Sequence, residues 1–197
     1  MNNESQLTEQ ESLELIARMI NKAKSDFRET GIGALMWGTI IAVCAVVSFV
    51  NYYQHWRWAE YIWFLTFIAV IPQVIISVQA NKRKKYTSYN EDAMGGIWIS
   101  FGIGILLLSF FSSWSHLSNA YVLFLIFYGV PTFATGIARR FTPMIVGGIA
   151  CWIFAIISMY ATFPYAMLLT AAAAIIAWFV PGIILRKRYL KAKKNDV

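Results

Sequence analysis

Four long stretches of this chain carry no Asp, Glu, Lys or Arg. They lie between Glu29 and Arg57, between Glu60 and Lys82, between Asp92 and Arg139, and between Arg140 and Arg186. An α-helix needs about 20 apolar residues to cross the hydrocarbon core of a bilayer. The first two stretches each accommodate one such helix, and the last two each accommodate a pair joined by a turn. The expected spans are therefore 31–53, 58–80, 93–111, 120–138, 143–160 and 166–185. The turns are expected at Ser112 to His116 and at Thr162-Phe163-Pro164. Composition agrees: 58% of the residues are hydrophobic and 14% charged, whereas soluble domains are about 25% charged. The runs are continuous rather than alternating, and a helix satisfies its own backbone in lipid, so helices are expected and not a barrel. The fold class predicted is an all-α integral membrane bundle.

The spans recur as three tandem hairpins, at about 31–80, 93–138 and 143–185. Aligned on Ser48, Ser109 and Ser158, the copies place Trp37, Trp98 and Gly147 at one offset and His55, His116 and Tyr165 at another. Each copy then reaches a proline, Pro72, Pro131 or Pro181, and stops at a basic cluster. The first helix of each hairpin carries small residues every fourth place, with Gly38 in the first, Ser100 and Gly104 in the second, and Gly147 and Cys151 in the third. Such spacing makes a groove where backbones approach. The odd-numbered helices are therefore expected to make the close contacts and the bulkier even ones to sit outside. Two spans per unit give all three repeats one orientation, which permits pseudo-threefold packing about the membrane normal.

Of the 17 Lys and Arg, all but Arg57 fall in segments on one side of the membrane. The positive-inside rule then puts both termini in the cytoplasm. The net charge of +7 is accounted for by topology and by anionic lipid headgroups at the basic clusters, not by nucleic acid. The opposite end carries an aromatic belt that includes Tyr52, Tyr53, Trp56, Trp58, Tyr61, Trp63, Trp114, Tyr121, Tyr160 and Phe163.

Residues 1–30 read as a cytoplasmic amphipathic helix, with Thr8 and Glu11 as its capping box. Leu13, Ile16, Ile20 and Phe27 recur at helical spacing. Their face suits the inner leaflet or the underside of the bundle, or else a partner protein or second copy docking through residues 8–29. At the other end, residues 186–197 form a basic tail, expected to be disordered after Leu190.

Little in the interior carries chemistry. The membrane interior holds no acid, Lys, Arg or His, which counts against ion-coupled carriers. No nucleophile, base and acid can be assembled into a catalytic set, and neither a metal site nor a cofactor is expected. Glu91 and Asp92 read as caps of the third span, and Thr142-Pro143 as an N-cap followed by a first-turn proline. Cys44 and Cys151 read as small apolar residues at helix contacts. Pro72, Pro131 and Pro181 each lack an N–H and free a carbonyl one turn back. With Gln73 and Thr132 they form a candidate cavity, against the alternative that the kinks only shape the bundle.

Pro72-Gln73 resembles the proline–glutamine pair of PQ-loop transporters, although those are built from three-helix units. The three-hairpin layout with glycine-rich odd helices is similar to small bacterial membrane proteins of the HdeD type, which implies an association with acid resistance. The stretch Glu11-Ser12-Leu13-Glu14 through Met19-Ile20-Asn21-Lys22, leading into Met36-Trp37-Gly38, resembles a set of uncharacterised bacterial multipass proteins. The function expected is that of a non-enzymatic accessory, scaffold or sensor acting through its N-terminal helix. The alternative is a small transporter or channel for an uncharged or weakly polar solute, lined by the proline-kinked even helices.

Overall fold

The computed structural model describes residues 14, 30–83, 89–115 and 120–195, and these contain helices and turns but no strand. In chain order the elements are α1 (Ile32–Gln54), a 3-10 turn (Arg57–Tyr61), α2 (Phe64–Arg83), α3 (Tyr89–Ser115), α4 (Ala120–Ala138), α5 (Thr142–Tyr160), α6 (Phe163–Ala174), a π-helical turn (Ile175–Phe179) and α7 (Val180–Asn195). Five helices are long and apolar enough to cross a membrane: α1, α3, α4, α5 and the continuous rod Phe163–Lys194. The apolar part of α2, Phe64–Gln79, is shorter. The molecule is an all-helical bundle of multipass membrane type.

The ends of the helices follow from local chemistry. Gly31 begins α1 in the left-handed region, at φ 70, and a Cβ there would stand 2.6 Å from the Gly182 carbonyl oxygen. At the other end His55 closes α1 with φ 53, and its N–H donates to the Asn51 carbonyl at 2.8 Å. Arg140 takes the same conformation, φ 50, between α4 and α5. There the Phe141 N–H reaches back to the Gly136 carbonyl at 2.8 Å, the pattern that usually ends a helix at glycine. Pro143 and Pro164 lie in the first turns of α5 and α6, where no N–H is required of them.

The expected hairpins are not the units of packing. The most extensive contact joins α4 to α5, across the boundary between the second and third repeats, and α1 packs chiefly on α6. A Cβ on Gly136 would lie 2.7 Å from the Ile145 nitrogen, and one on Gly148 2.9 Å from the Phe133 nitrogen. The centre consists of α1, α4, α5 and the α6–α7 rod. It encloses Ile41, Leu125, Tyr128, Cys151, Ala155, Ala173, Ala177 and Trp178. Helix α2 leans on α1 and α3 on α4. None of the apolar window of α3 is buried, against 50% of that of α4.

Odd helices inside and even helices outside is therefore not the arrangement. Helix α3 is peripheral, and its Gly95, Gly96 and Gly102 have nothing within 4 Å of a Cβ. The even α4 and α6 are central because they too are lined with small residues: Gly129 and Gly136 on α4, and Ala166, Ala171, Ala173 and Ala174 on α6. Five boundaries also move. Helix α3 continues through Ser112 and Ser113 to Ser115, so the expected turn is helical. Residues 57–61 form a separate 3-10 turn ahead of α2. Thr142 and Asp92 lie inside helices instead of capping them, with Phe141 at the N-cap of α5 and α3 starting at Tyr89. The tail is helical to Asn195, since its Arg and Lys residues favour helix.

Candidate functional site

The residues proposed as a cavity do not meet in one. Pro131, Thr132 and Pro181 are fully buried near the middle of the bundle. Pro72 is exposed and Gln73 half-buried, on the flanking helix α2. What holds these polar groups is a set of indole bonds. The Trp178 Nε1–H donates to Thr132 Oγ1 at 2.8 Å, and the Trp98 Nε1–H to Thr135 Oγ1 at 3.1 Å. Both hydroxyls in turn donate one turn back, Thr132 to the Tyr128 carbonyl and Thr135 to the Pro131 carbonyl, each at 2.7 Å. On the flank, the Trp37 Nε1–H donates to Gln73 Oε1 at 3.1 Å, and Gln73 Nε2 donates to Ser77 Oγ at 3.2 Å. Tyr128 and Trp178 are buried in the same core, with ring centroids 4.9 Å apart. Sequence reasoning missed the tryptophans as donors, although Trp37 and Trp98 already stood at one offset in the aligned repeats.

The three prolines act differently. Pro72 and Pro131 sit inside regular α-helix. Ahead of Pro181 the chain widens into the π turn, where the Val180 N–H donates to the Ile175 carbonyl. Two glycines grip this turn. A Cβ on Gly38 would lie 2.6 Å from the Phe179 nitrogen, and one on Gly147 2.6 Å from the Ala177 Cα. Phe179 and Ala177 are about half a turn apart on the rod, so α1 and α5 press it from opposite sides.

Other expected packing residues divide. Cys151 is fully buried, and a Cβ on Gly104 would lie 2.6 Å from the Phe127 ring. Ser100 is exposed and makes no helix contact of the kind expected, because α3 meets the bundle through Trp98, Phe101 and Ile105 instead. The partner-surface residues Leu13, Ile16, Ile20 and Phe27 lie outside the described residues, as does His116.

A second locus lies at the end of the bundle away from the basic tail. A cleft of about 360 Å³ is lined by Ser48, Asn51, Tyr52, His55, Ala59, Glu60, Trp63, Tyr121, Phe163 and Met167. The 3-10 turn folds back over the end of α1 and supplies Ala59 and Glu60. The Trp63 Nε1–H donates to Ser48 Oγ at 3.0 Å, which ties the turn ahead of α2 to α1 beside the cleft. Tyr121 meets Phe163 edge-on with centroids 5.4 Å apart, and Tyr52 lies 6.0 Å from the same ring. The Asn51 Oδ1 atom is buried without a hydrogen-bond partner.

Among the described residues no group of three or more His, Cys, Asp or Glu is placed to hold a metal. Cys44 and Cys151 are free and buried. At the opposite, basic end, burial lowers the Arg139 guanidinium from its ordinary value, and the Arg188 guanidinium stands 5.1 Å from the centroid of the Phe141 ring. No protein-family model, curated protein or solved structure matches the chain.

Proposed function

We propose that the chain is a non-enzymatic multipass protein of a bacterial inner membrane, working as an accessory, scaffold or sensor through its N-terminal segment. In this reading it has six spans in three tandem hairpins, and both termini are cytoplasmic. Residues 8–29 form an amphipathic helix that docks a partner protein or a second copy, and the basic clusters rest on anionic headgroups. In support of a sixth span, the apolar part of α2, Phe64–Gln79, reaches about 24 Å at the rise of an α-helix, and the helix ends on Lys82 and Arg83. The observation that favours this function over a solute carrier is the filled centre. Thr132 is completely buried and hydrogen-bonded on both sides, so the proline-flanking polar groups are spent on packing.

Affinity capture from native membranes in mild detergent tests the reading, comparing the full chain with one lacking residues 1–29. The expected result is a stoichiometric partner, or a second copy, that is lost with the deletion. Recovery of both forms alone would overturn it.

A further inference from the structure

We propose that the chain self-associates through its charged cytoplasmic ends. The acidic start of the N-terminal segment in one copy docks on the basic extension of α7 in a second copy, and the second copy returns the contact. The proposal rests on the reading of residues 8–29 as a cytoplasmic helix and names the partner of that helix.

The basic surface follows from the length of the rod. Helix α6, the π turn and α7 run continuously from Phe163 to Lys194, so the tail is the upright end of a span. Arg186 is the first charge after the apolar run, and no acid stands between it and Asn195. Along the helix Lys191 lies about 8 Å and Lys194 about 12 Å beyond Arg186, whereas the headgroup layer of one leaflet is about 5–8 Å deep. Arg186, Lys187 and Arg188 are thus left to the headgroups, and Arg188 also lies over the Phe141 ring. Lys191, Lys193 and Lys194 are all exposed and reach past that layer. The sequence holds one complementary block: Glu4, Glu9, Glu11 and Glu14 all precede the first base, Arg18. The other acids of that side stand among bases, Asp26 and Glu29 beside Lys24 and Arg28, Glu91 and Asp92 after Lys82 to Lys85. Blocks of opposite sign steer surfaces together and fix which ones pair.

Reach decides that the contact is made between copies. Gly31 starts α1 directly against α7, since a Cβ there would lie 2.9 Å from the Arg186 nitrogen. The N-terminal segment therefore leaves the bundle at the foot of the basic extension. As one helix it carries Glu11 about 27 Å from Glu29, while the extension rises only about 12 Å from Arg186 to Lys194. Upright beside its own α7 the helix would overshoot by about 15 Å, and lying along the leaflet its acids would be about 30 Å away. Both gaps exceed the Debye length, about 8 Å at physiological ionic strength. A bundle three helices across is about 30 Å wide, so the acids arrive at the α7 of an adjacent copy. A twofold axis along the membrane normal makes the contact reciprocal.

The test co-expresses full-length copies bearing two different tags, captures one tag from native membranes in mild detergent, and measures the other. One variant carries Glu4→Lys, Glu9→Lys and Glu11→Lys, the other Lys191→Glu, Lys193→Glu and Lys194→Glu. Wild-type copies are expected to capture each other. Each variant paired with itself should do so at least about tenfold less, because three exposed ion pairs become three like-charge contacts. The two variants mixed together should recover the wild-type yield, since each then meets the opposite charge on the other copy. That recovery needs pairing between chains and shows that both variants are folded. Absence of wild-type self-capture, undiminished self-capture of either variant, or no recovery in the mixture would each overturn the proposal. A different stoichiometric protein held through residues 1–29, with no second copy, would also overturn it while leaving the scaffold reading in place.

Discussion

The grip of Gly38 and Gly147 on the π turn gives a sharp prediction. Carbon atoms in good contact stand about 3.5–4.0 Å apart. A methyl at Gly38 would meet the Phe179 nitrogen at 2.6 Å and its Cα at 2.9 Å, and a methyl at Gly147 would meet the Ala177 Cα at 2.6 Å. These are backbone atoms of a helix and cannot swing aside, so each substitution forces a helix shift of about 1 Å to regain that contact distance. Overpacking of this kind costs about 1–3 kcal/mol, offset by up to about 1 kcal/mol of helix propensity gained on replacing glycine. Gly38→Ala and Gly147→Ala should thus each be destabilising. Either one alone lets the rod move toward the other glycine. With both present the rod has no free side, so the double variant should lose more than the sum of the singles. Reversible unfolding in mixed micelles measures the cycle, with Gly96→Ala as control because a Cβ there meets nothing within 4 Å. If Gly38→Ala and Gly147→Ala behave like Gly96→Ala, or the double variant is simply additive, the clamp does not exist.

Four further outcomes are expected. Trp178→Phe removes the donor to Thr132 but leaves Thr132 its bond to Tyr128, and should cost about 0.5–1.5 kcal/mol. Trp152→Phe, whose indole is 3.4 Å from the Ile126 carbonyl at a more exposed site, should be nearly neutral in the same unfolding assay. Cys44 and Cys151, both completely buried, should resist a membrane-permeant maleimide in the native protein and react fully after denaturation. Rapid labelling before denaturation would contradict the packing. His55→Gly should stabilise by about 0.5–1 kcal/mol, since glycine adopts the left-handed cap without a Cβ. A lower melting temperature would show that the imidazole makes a compensating contact.

Helix α4 ends at Ala138, the limit that the following Arg139-Arg140 pair predicts. Its neighbour α3 overran its predicted end because serine does not stop a helix from within. The Ser109 hydroxyl simply donates to the Ile105 carbonyl at 2.8 Å. The start of α2 was hidden for another reason: Trp58 to Trp63 is apolar enough to read as span, and nothing local distinguishes a 3-10 turn there. Small residues every fourth place identified Gly38 and Gly147 correctly as contacts and misplaced Ser100, since spacing says which residues share a face but not what that face meets. The π turn was marked only by Pro181. Pro72 and Pro131 carry the same local signal and stay regular, so a proline alone does not mark a π turn. The indole bonds were missed because tryptophans were read as interfacial anchors, a role that leaves Trp37, Trp98 and Trp178 unexplained. Asn51 carried no signal at all until the 3-10 turn closed the cleft.

The six-span topology is most directly tested by cysteine accessibility. Single cysteines at Glu60, Thr87, Thr162 and Asn195, on a background of Cys44→Ser and Cys151→Ser, would be treated with an impermeant maleimide on intact spheroplasts. Labelling at Glu60→Cys and Thr162→Cys alone, with Thr87→Cys and Asn195→Cys reacting only after lysis, is the predicted result. Labelling of Thr87→Cys from outside would mean that α2 does not cross the bilayer, and the assignment of both termini to the cytoplasm would fall with it.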